Sequence, residues 1–344
     1  MNNITLKFFI ISSIILVYLV IFAGSIVRVT ESGMGCPDWP KCFGYIIPPS
    51  EISDLEWKGN HKYNSRQIII RNNSLLIANN DFISNEKFNA KMWVKYKKHD
   101  YVKFNATHTW IEFLNRLLGA IAGLTTLFVF IFSFREFKKN KKIFFLSLLI
   151  LLGMCFQAWL GKLVVDSNLM PFKVSIHMIV AFLILFVLIY LYFVTSKRSF
   201  NSILSKKNKA IVFFAFILTI IQIFIGTQVR QFIDIQIDSF GQNKKEMWLN
   251  SPPFEFYFHR SFSIILFITN TIIYYTFKKN NWNDYWINWI MIILGTEIFI
   301  GILMYYFSFP FSTQPIHLIL SAFLFGIQGY LLLNVFKPVK NEII

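Results

Sequence analysis

Four of the six histidines lie within, or at the edge of, long apolar stretches of the chain; they are His108, His177, His259 and His317. An ionisable side chain is costly in such a stretch and is a functional candidate by default. A single histidine there can be a packed core residue, but repetition at similar places weakens that explanation. Imidazoles from facing helices can bind one iron from opposite sides. We predict His259 and His317 to be such a pair.

A small residue stands four positions after Asn115 and after each of the last three histidines, one turn along the same helix face. These small residues are Gly119, Ala181, Ser263 and Ser321. Open space beside an imidazole suits a flat macrocycle with iron at its centre, so the pattern favours haem. Close helix packing through small residues, which is routine in membrane bundles, explains the same pattern.

Four arginines lie near the level of these histidines: Arg28, Arg116, Arg230 and Arg260. Guanidinium groups pair well with carboxylates and could bind the propionates of a haem. Arg116 and Arg260 are favoured, because each directly follows a predicted ligand position, Asn115 or His259. The alternative is that the arginines only extend their charges to the membrane interface.

Glu112 shares one face of a predicted helix with His108 and Asn115, since the three are spaced at i, i+4 and i+7. A carboxylate there can take a proton or stabilise positive charge that develops on a substrate. An ion pair with Arg116, four residues later, is the structural alternative. Glu297 is the other acid within an apolar stretch, and we leave it outside the predicted site.

Eight apolar stretches must position these side chains, each about as long as the 20 residues that a helix needs to cross a bilayer. They lie at roughly 8–28, 110–134, 143–165, 174–195, 210–230, 258–277, 286–307 and 315–336. Of the 344 residues, 55% are hydrophobic and 15% charged, whereas soluble domains carry about 25% charged residues. This composition excludes a disordered chain, a coiled coil, a disulfide scaffold and an ordinary cytosolic enzyme. We predict an all-α integral membrane protein with eight transmembrane helices.

The net charge of +16 could indicate a nucleic-acid partner, but the basic residues lie between apolar stretches, which suits a membrane surface. Short segments rich in Lys and Arg follow the even-numbered spans, at 135–142, 197–209, 278–279 and 337–340. Short basic loops stay in the cytoplasm, so both termini are predicted to be cytoplasmic. The segments 31–107, 164–173, 231–257 and 308–314 are then outside.

A short motif recurs along the chain and divides it into two halves of four spans. Three odd-numbered spans carry a polar residue four positions before a glycine, and spans four and eight both read Ile-His, at 176–177 and 316–317. Duplicated halves are common in membrane proteins, although chance is the alternative in helices with few residue types. We predict two pseudo-repeated four-helix bundles, 1–200 with the long outer loop 31–107, and 201–344.

Cys36 and Cys42 lie close together in the long outer loop, on either side of five residues. Cysteines outside a bacterial-type membrane can pair, and the competing zinc site lacks a second pair of ligands nearby. We predict a disulfide. Segment 51–105, which holds His61 and His99, shows no clear hydrophobic period and is predicted to be loosely ordered.

Several segments together resemble the haem A synthase family. They are Gly24–Arg28 leading into Ser32–Cys42, Glu112–Arg116, and Gln157–Asp166 followed by His177. The resemblance implies an oxidoreductase of the bacterial inner membrane that acts in cytochrome oxidase assembly. Such an enzyme oxidises a methyl group of haem O to a formyl group, by successive hydroxylation, and makes haem A for terminal oxidases.

The resemblance also implies a haem b cofactor in the second half, with His259 and His317 as iron ligands. Arg230 and Arg260 are then expected near this cofactor. Cys36 and Cys42 match the outer-loop cysteines of many family members, which are linked to folding or to electron supply. The resemblance therefore implies one of these two roles for the pair.

For the first half, the resemblance implies a pocket for the substrate haem O, with His177 facing its iron, Arg28 and Arg116 near its propionates, and Glu112 as the essential glutamate. Asn115 departs from the family, which often has histidine there. We therefore expect one protein ligand on the substrate iron, with water or an open position opposite. His108 could reach the iron only with an unusual tilt of the substrate, since seven residues span about 10 Å along a helix.

The partners that the resemblance implies are the farnesyltransferase that makes haem O, oxidase assembly factors that take the product, membrane lipid and a possible second copy of the chain. Two other functions remain open. A dihaem electron-transfer protein would need four full ligands and no Glu112. A haem transporter or delivery protein would give no reason for paired histidines at one depth.

Overall fold

The computed structural model describes residues 2–97, 104–196, 204–280, 282 and 285–337. Within these residues, eight helices are long and apolar enough to cross a membrane, as predicted. They are α1 Asn2–Val29, α2 Ala106–Ser133, α3 Lys141–Asp166, α4 Pro171–Thr195, α5 Lys206–Phe240, α6 Phe254–Lys279, α7 Trp286–Tyr306 and α8 Thr313–Phe336. His99 and the basic segments at 197–203 and 338–340 lie outside the described residues.

Helix α5 is longer than predicted and continues to Phe240 instead of ending near residue 230. Arg230 and Asp234 are one turn apart in the added part of the helix and form an ion pair of 2.9 Å. Such i, i+4 pairs stabilise a helix. The added turns bury Ile233 against Trp248 and Phe309, so part of the segment predicted to be an outer loop is helical.

The described chain forms two compact units. The first unit consists of Met1–Phe22, Ala122–Cys155 and Met178–Ile344, and the second of Ala23–Ile121 and Phe156–His177, each within the described ranges. The predicted division into the halves 1–200 and 201–344 remains a prediction.

Four helices of the first unit form a closed ring, in which α5 packs against α6 and α8, and α7 packs against α6 and α8. A chain of polar side chains crosses its interior. Gln328 of α8 donates from Nε2 to Oδ1 of Asn270 on α6, at 2.9 Å, and its Oε1 accepts from Thr219 of α5. Such bonds hold membrane helices together, because a polar group without a partner is costly in an apolar interior.

Aromatic rings join α4 to this ring of helices within the first unit. Phe325 of α8 contacts Phe182, Phe186 and Phe216, with ring centroids 5.3 to 6.1 Å apart. The neighbouring Gly326 gives space to the hydroxyl of Tyr18 from α1, where a Cβ atom would collide. The absence of a side chain at this position therefore sets how closely α1 approaches α8.

The prediction of a loosely ordered segment 51–105 is wrong for its described part. It contains the strands β1 Lys62–Tyr63, β2 Ile68–Arg71, β3 Ser74–Ala78, β4 Phe82–Ile83 and β5 Trp93–Lys95. Strands β2, β3 and β5 form an antiparallel sheet, and β1 pairs with β4. Asn72 and Asn73, both with positive φ, join β2 to β3, as in a two-residue hairpin turn. The strands have two to five residues, too few for an alternating pattern to be visible.

Gly326→Ala is expected to lower the unfolding temperature, because the added methyl group would overlap the Tyr18 hydroxyl and lie 3.1 Å from Ile189. Overpacking of this kind costs about 1–3 kcal/mol. Thermal unfolding of the purified protein in detergent measures the change.

Gly295→Ala in α7 is the matched control, since no described atom lies within 4 Å of a Cβ built there. Adding Tyr18→Phe should restore stability to the Gly326→Ala protein by removing the hydroxyl. Equal unfolding temperatures for the two alanine variants would contradict this account.

Candidate functional site

His259 of α6 and His317 of α8 face each other in the first unit. Their ring centroids are 6.4 Å apart and their planes are inclined by 73°. A metal–imidazole bond is about 2 Å long, so two rings on opposite sides of one metal have centres about 6 Å apart. The spacing of this pair therefore fits one iron between the rings, as in a haem with two axial histidines.

Two residues of helix α5 contact His259. The Nε2 of Gln222 donates to the backbone carbonyl of His259 at 3.0 Å. One turn later, Gly226 lies so close to the imidazole that a Cβ atom would be 3.0 Å from its Cε1. Gln222 thus fixes the backbone of the histidine, and Gly226, four residues later, leaves room for its ring.

Helices α3 and α4 repeat this arrangement in the second unit. Gln157 donates from Nε2 to the carbonyl of His177 at 2.8 Å, and a Cβ on Gly161 would be 3.5 Å from Cε1 of that histidine. Between α1 and α2, Gly24 faces Asn115 in the same way, with Oδ1 3.9 Å from the built Cβ. Asn115 therefore occupies the place that imidazole occupies at the other two helix pairs.

Glu297 of α7 contacts His317, although the sequence analysis predicts it to lie outside the site. Its Oε2 forms an ion-pair contact with Nδ1 of His317, and the residue is only 7% exposed. One signal could have found it, because Glu297 stands four residues before Gly301, where two other odd-numbered spans carry glutamine.

Glu112 lies in the second unit and is 4% exposed, and it contacts both the loop between α1 and α2 and a neighbouring guanidinium. Its Oε2 accepts from the backbone N–H of Cys36 at 2.8 Å, and its Oε1 pairs with Arg116. The ion pair that the sequence left as an alternative is therefore present. Burial and a compensated charge give this carboxylate a fixed position.

Arg116 is hydrogen-bonded to the loop between α1 and α2. Its Nη1 donates to the carbonyls of Asp38 and Lys41 at 2.7 and 3.0 Å, and its Nη2 donates to the carbonyl of Cys36 at 3.3 Å. The structure thus uses this guanidinium to fasten the loop to α2. Its predicted contact with a propionate remains a prediction.

Cys36 and Cys42 form the predicted disulfide, and both are buried. The preceding backbone packs tightly on α2, because the hydroxyl of Thr109 donates to the carbonyl of Gly35 at 2.8 Å. A Cβ on Gly35 would be 2.5 Å from the backbone carbonyl of His108. The disulfide segment is therefore held directly beside Glu112.

Burial changes the acidity of two groups in this loop. Loss of hydration raises the pKa of Asp38, although the N–H of Gly44 and the Arg116 charge act to lower it. Loss of hydration also raises the pKa of Tyr96 to about 12, and its hydroxyl donates to the carbonyl of Pro37 at 2.6 Å. The tyrosine therefore stays protonated at neutral pH and acts as a donor to the loop.

Arg230 and Arg260, the two arginines predicted near the cofactor, both contact other side chains of the protein. Arg230 contacts Gln314 of α8 in addition to Asp234. Arg260 is exposed and lies over the rings of Tyr257 and Tyr305, at 5.6 and 5.8 Å. These residues belong to the same unit as His259, but the predicted contacts of Arg230 and Arg260 with a propionate remain predictions.

Arg28 and His108 belong to the second unit with Glu112. Arg28 lies in the last turn of α1. His108 lies in the first turn of α2 and is half-buried. His61, in the loop, is exposed and lies edge-on to Tyr63, 4.8 Å between centroids.

Comparison with known proteins identifies the family. Residues 7–328 match the sequence profile of COX15-CtaA, described as cytochrome oxidase assembly protein. The chain belongs to the COX15-CtaA family. The range that matches COX15-CtaA includes His177, His259 and His317, the disulfide segment and Glu112.

Several proteins similar to this chain carry the name heme A synthase. The protein of Ehrlichia canis is 23% identical over 338 residues, which cover 92% of this chain and 89% of that protein. The protein of Rickettsia africae is 25% identical over 346 residues, 92% and 93% of the two chains. The protein of Shewanella oneidensis is 26% identical over 186 residues, 54% of this chain and 44% of the other.

Gly35→Ala is expected to detach the disulfide segment from α2. Gly35 has helical backbone angles that alanine adopts freely, so only the collision with the His108 carbonyl opposes the new methyl group. The rate at which a reductant opens the Cys36–Cys42 bond in folded protein measures the loss of contact and should rise.

Gly33→Ala is the matched control two residues earlier. A Cβ there would meet the flexible side chain of Leu169 at 2.9 Å, which can move aside, whereas a backbone carbonyl cannot. If the disulfide is reduced at the wild-type rate in both variants, the packing of this segment on α2 is not as described.

Proposed function

We propose that this protein is a haem A synthase, a membrane oxidoreductase that converts the methyl group of haem O to a formyl group by successive hydroxylation. The observation that carries the proposal is the pair of facing imidazoles, His259 and His317, spaced for one iron in a chain of the COX15-CtaA family. Relatives named heme A synthase that align with most of the chain support it.

The proposed cofactor is haem b, which the imidazoles of His259 and His317 would hold. Bound there, it would supply one-electron transfer. The protein's own part is to fix both rings: Gln222 holds the backbone of His259, and Gly226 keeps space beside its imidazole. Arg230 and Arg260 are the proposed contacts for the propionates, since both belong to the same unit as the histidine pair.

The proposed substrate site is in the second unit, which holds His177, Asn115 and Glu112. His177 is proposed to be the one protein ligand of the iron of haem O, since the Asn115 amide stands where a second imidazole would be. Glu112 is proposed to take a proton from the reacting group or to stabilise positive charge on it. Arg28 and Arg116 are the proposed contacts for its propionates.

The proposed location is the inner membrane of a bacterium, with both termini in the cytoplasm and two pseudo-repeated halves, 1–200 and 201–344. Basic residues between the apolar helices support this orientation, and a disulfide in the long loop suits an oxidising outer side. The farnesyltransferase that makes haem O and oxidase assembly factors are the proposed partners, with a second copy of the chain as a further one.

A dihaem electron carrier is a less suitable assignment for this chain. Such a carrier needs four axial ligands, and the α1–α2 pair presents Asn115 where the others present imidazole. It also has no use for a carboxylate as deeply buried as Glu112.

His259→Ala and His317→Ala should each abolish the low-spin b-type haem spectrum of the purified protein, because one axial ligand is lost. Absorption spectra of the reduced protein test this. His61→Ala, which removes an exposed loop histidine, should leave the spectrum unchanged. A wild-type spectrum in either ligand variant would refute the assignment.

Glu112→Gln should retain the b-type haem yet stop the accumulation of haem A in cells that are supplied with haem O. The amide keeps the size of the side chain and an oxygen for the Cys36 N–H, but it lacks the charge and cannot take a proton. Extraction and chromatography of the pigments measure haem A. Glu255→Gln, an exposed acid on α6, is the control, and normal haem A in the Glu112→Gln strain would exclude the catalytic role.

A further inference from the structure

Glu297 makes a contact that no other odd-numbered span makes among the described residues. At α3 and α5, Gln157 and Gln222 donate to the backbone carbonyl of the histidine on the next helix. The Nδ1 atoms of His177, His259 and His317 are all buried without a hydrogen bond of regular geometry in the described part of the chain, and only that of His317 has a carboxylate in ion-pair contact with it. At α7, the acid reaches past the backbone to Nδ1 of the His317 ring.

The position of the carboxylate determines what the ring can do. Nδ1 and Nε2 are the two nitrogens of imidazole, and the one that carries a proton is set by the hydrogen bond it makes. A carboxylate oxygen at Nδ1 keeps the proton there and leaves the Nε2 lone pair free for a metal. Carboxylate–histidine–metal arrangements of this kind orient the ring and make it a stronger electron donor.

We propose that Glu297 is a positioning residue that tunes the iron site, by fixing the tautomer of His317 and placing a negative charge behind that ligand. This inference rests on the proposed haem at His259 and His317. Because Glu297 is buried, a negative charge on its carboxylate would be weakly screened and would act strongly on the neighbouring ring. A charge there stabilises ferric over ferrous iron and lowers the reduction potential, for which hydrogen bonding around the ligands is a recognised control.

A purely structural role would have a different consequence. If Glu297 only fastened α7 to α8, any side chain that kept the helices together would leave the potential of the haem unaltered. Glu297→Gln separates the two roles, since glutamine keeps the size and an oxygen acceptor but removes the charge. It also converts α7 to the residue that α3 and α5 carry at this position.

The experiment is a redox titration of the b-type haem in the full-length protein, followed by absorption and by electron paramagnetic resonance. Glu297→Gln should keep two histidine ligands and raise the midpoint potential. A tenfold loss of preference for ferric iron corresponds to about 59 mV for a one-electron couple. Glu297→Leu, which removes the acceptor, should also weaken haem binding about 10- to 100-fold, as is usual for partners of metal ligands.

Two controls complete the test. Glu297→Asp keeps the charge and should have a midpoint closer to the wild type than Glu297→Gln has. Glu255→Gln removes one exposed carboxylate from the same unit and should not shift the potential, because an exposed charge is screened by solvent.

The outcomes distinguish this inference from the function on which it rests. Equal midpoints in the wild type, Glu297→Gln and Glu297→Asp proteins, with haem bound in all three, would overturn the role of Glu297 and leave the ligand assignment intact. A wild-type protein without b-type haem would overturn the proposed site itself.

Discussion

Polar groups inside an apolar helix bundle need partners, and the way this chain supplies them determines the geometry of its candidate site. Gln157 and Gln222 each bind the carbonyl of a histidine on the following helix. A carbonyl within a helix already accepts a backbone hydrogen bond, so the glutamine side chains act as additional donors that hold one helix against the next. The glycine one turn later leaves space for the ring. Two residues on one helix thus determine both the depth and the direction of an imidazole on its neighbour.

The same pairing makes the exceptions informative. At α1 and α2 the ring is replaced by the shorter Asn115, whose Oδ1 is buried without a hydrogen-bond partner in the described structure. At α7 and α8 the amide is replaced by Glu297, which contacts the ring. Both exceptions fall at a predicted ligand position or at the residue that contacts it, and α1 also carries Val20 where α3 and α5 carry glutamine.

The spans could be predicted from the sequence, because a long apolar segment in a bilayer satisfies its own backbone hydrogen bonds only as a helix. The sequence also predicted the histidines, because ionisable residues are conspicuous in such segments. It missed the contact of Glu297, since that contact depends on how α7 and α8 are rotated about their axes, which periodicity does not determine. It also missed the sheet in the loop, where Ala78 and Trp93 pair across 14 intervening residues and the strands are too short to show alternation.

Arg116 has already committed the four hydrogens of its two terminal nitrogens, three of them to loop carbonyls and one to Glu112. An incoming carboxylate that binds these nitrogens must displace at least one of those acceptors. Occupation of this guanidinium by a ligand is therefore an exchange reaction, in which the loop is the competitor. The affinity for such a ligand then depends on how readily the loop gives up a carbonyl contact. Every change that stabilises the contact between the loop and Arg116 lowers that affinity.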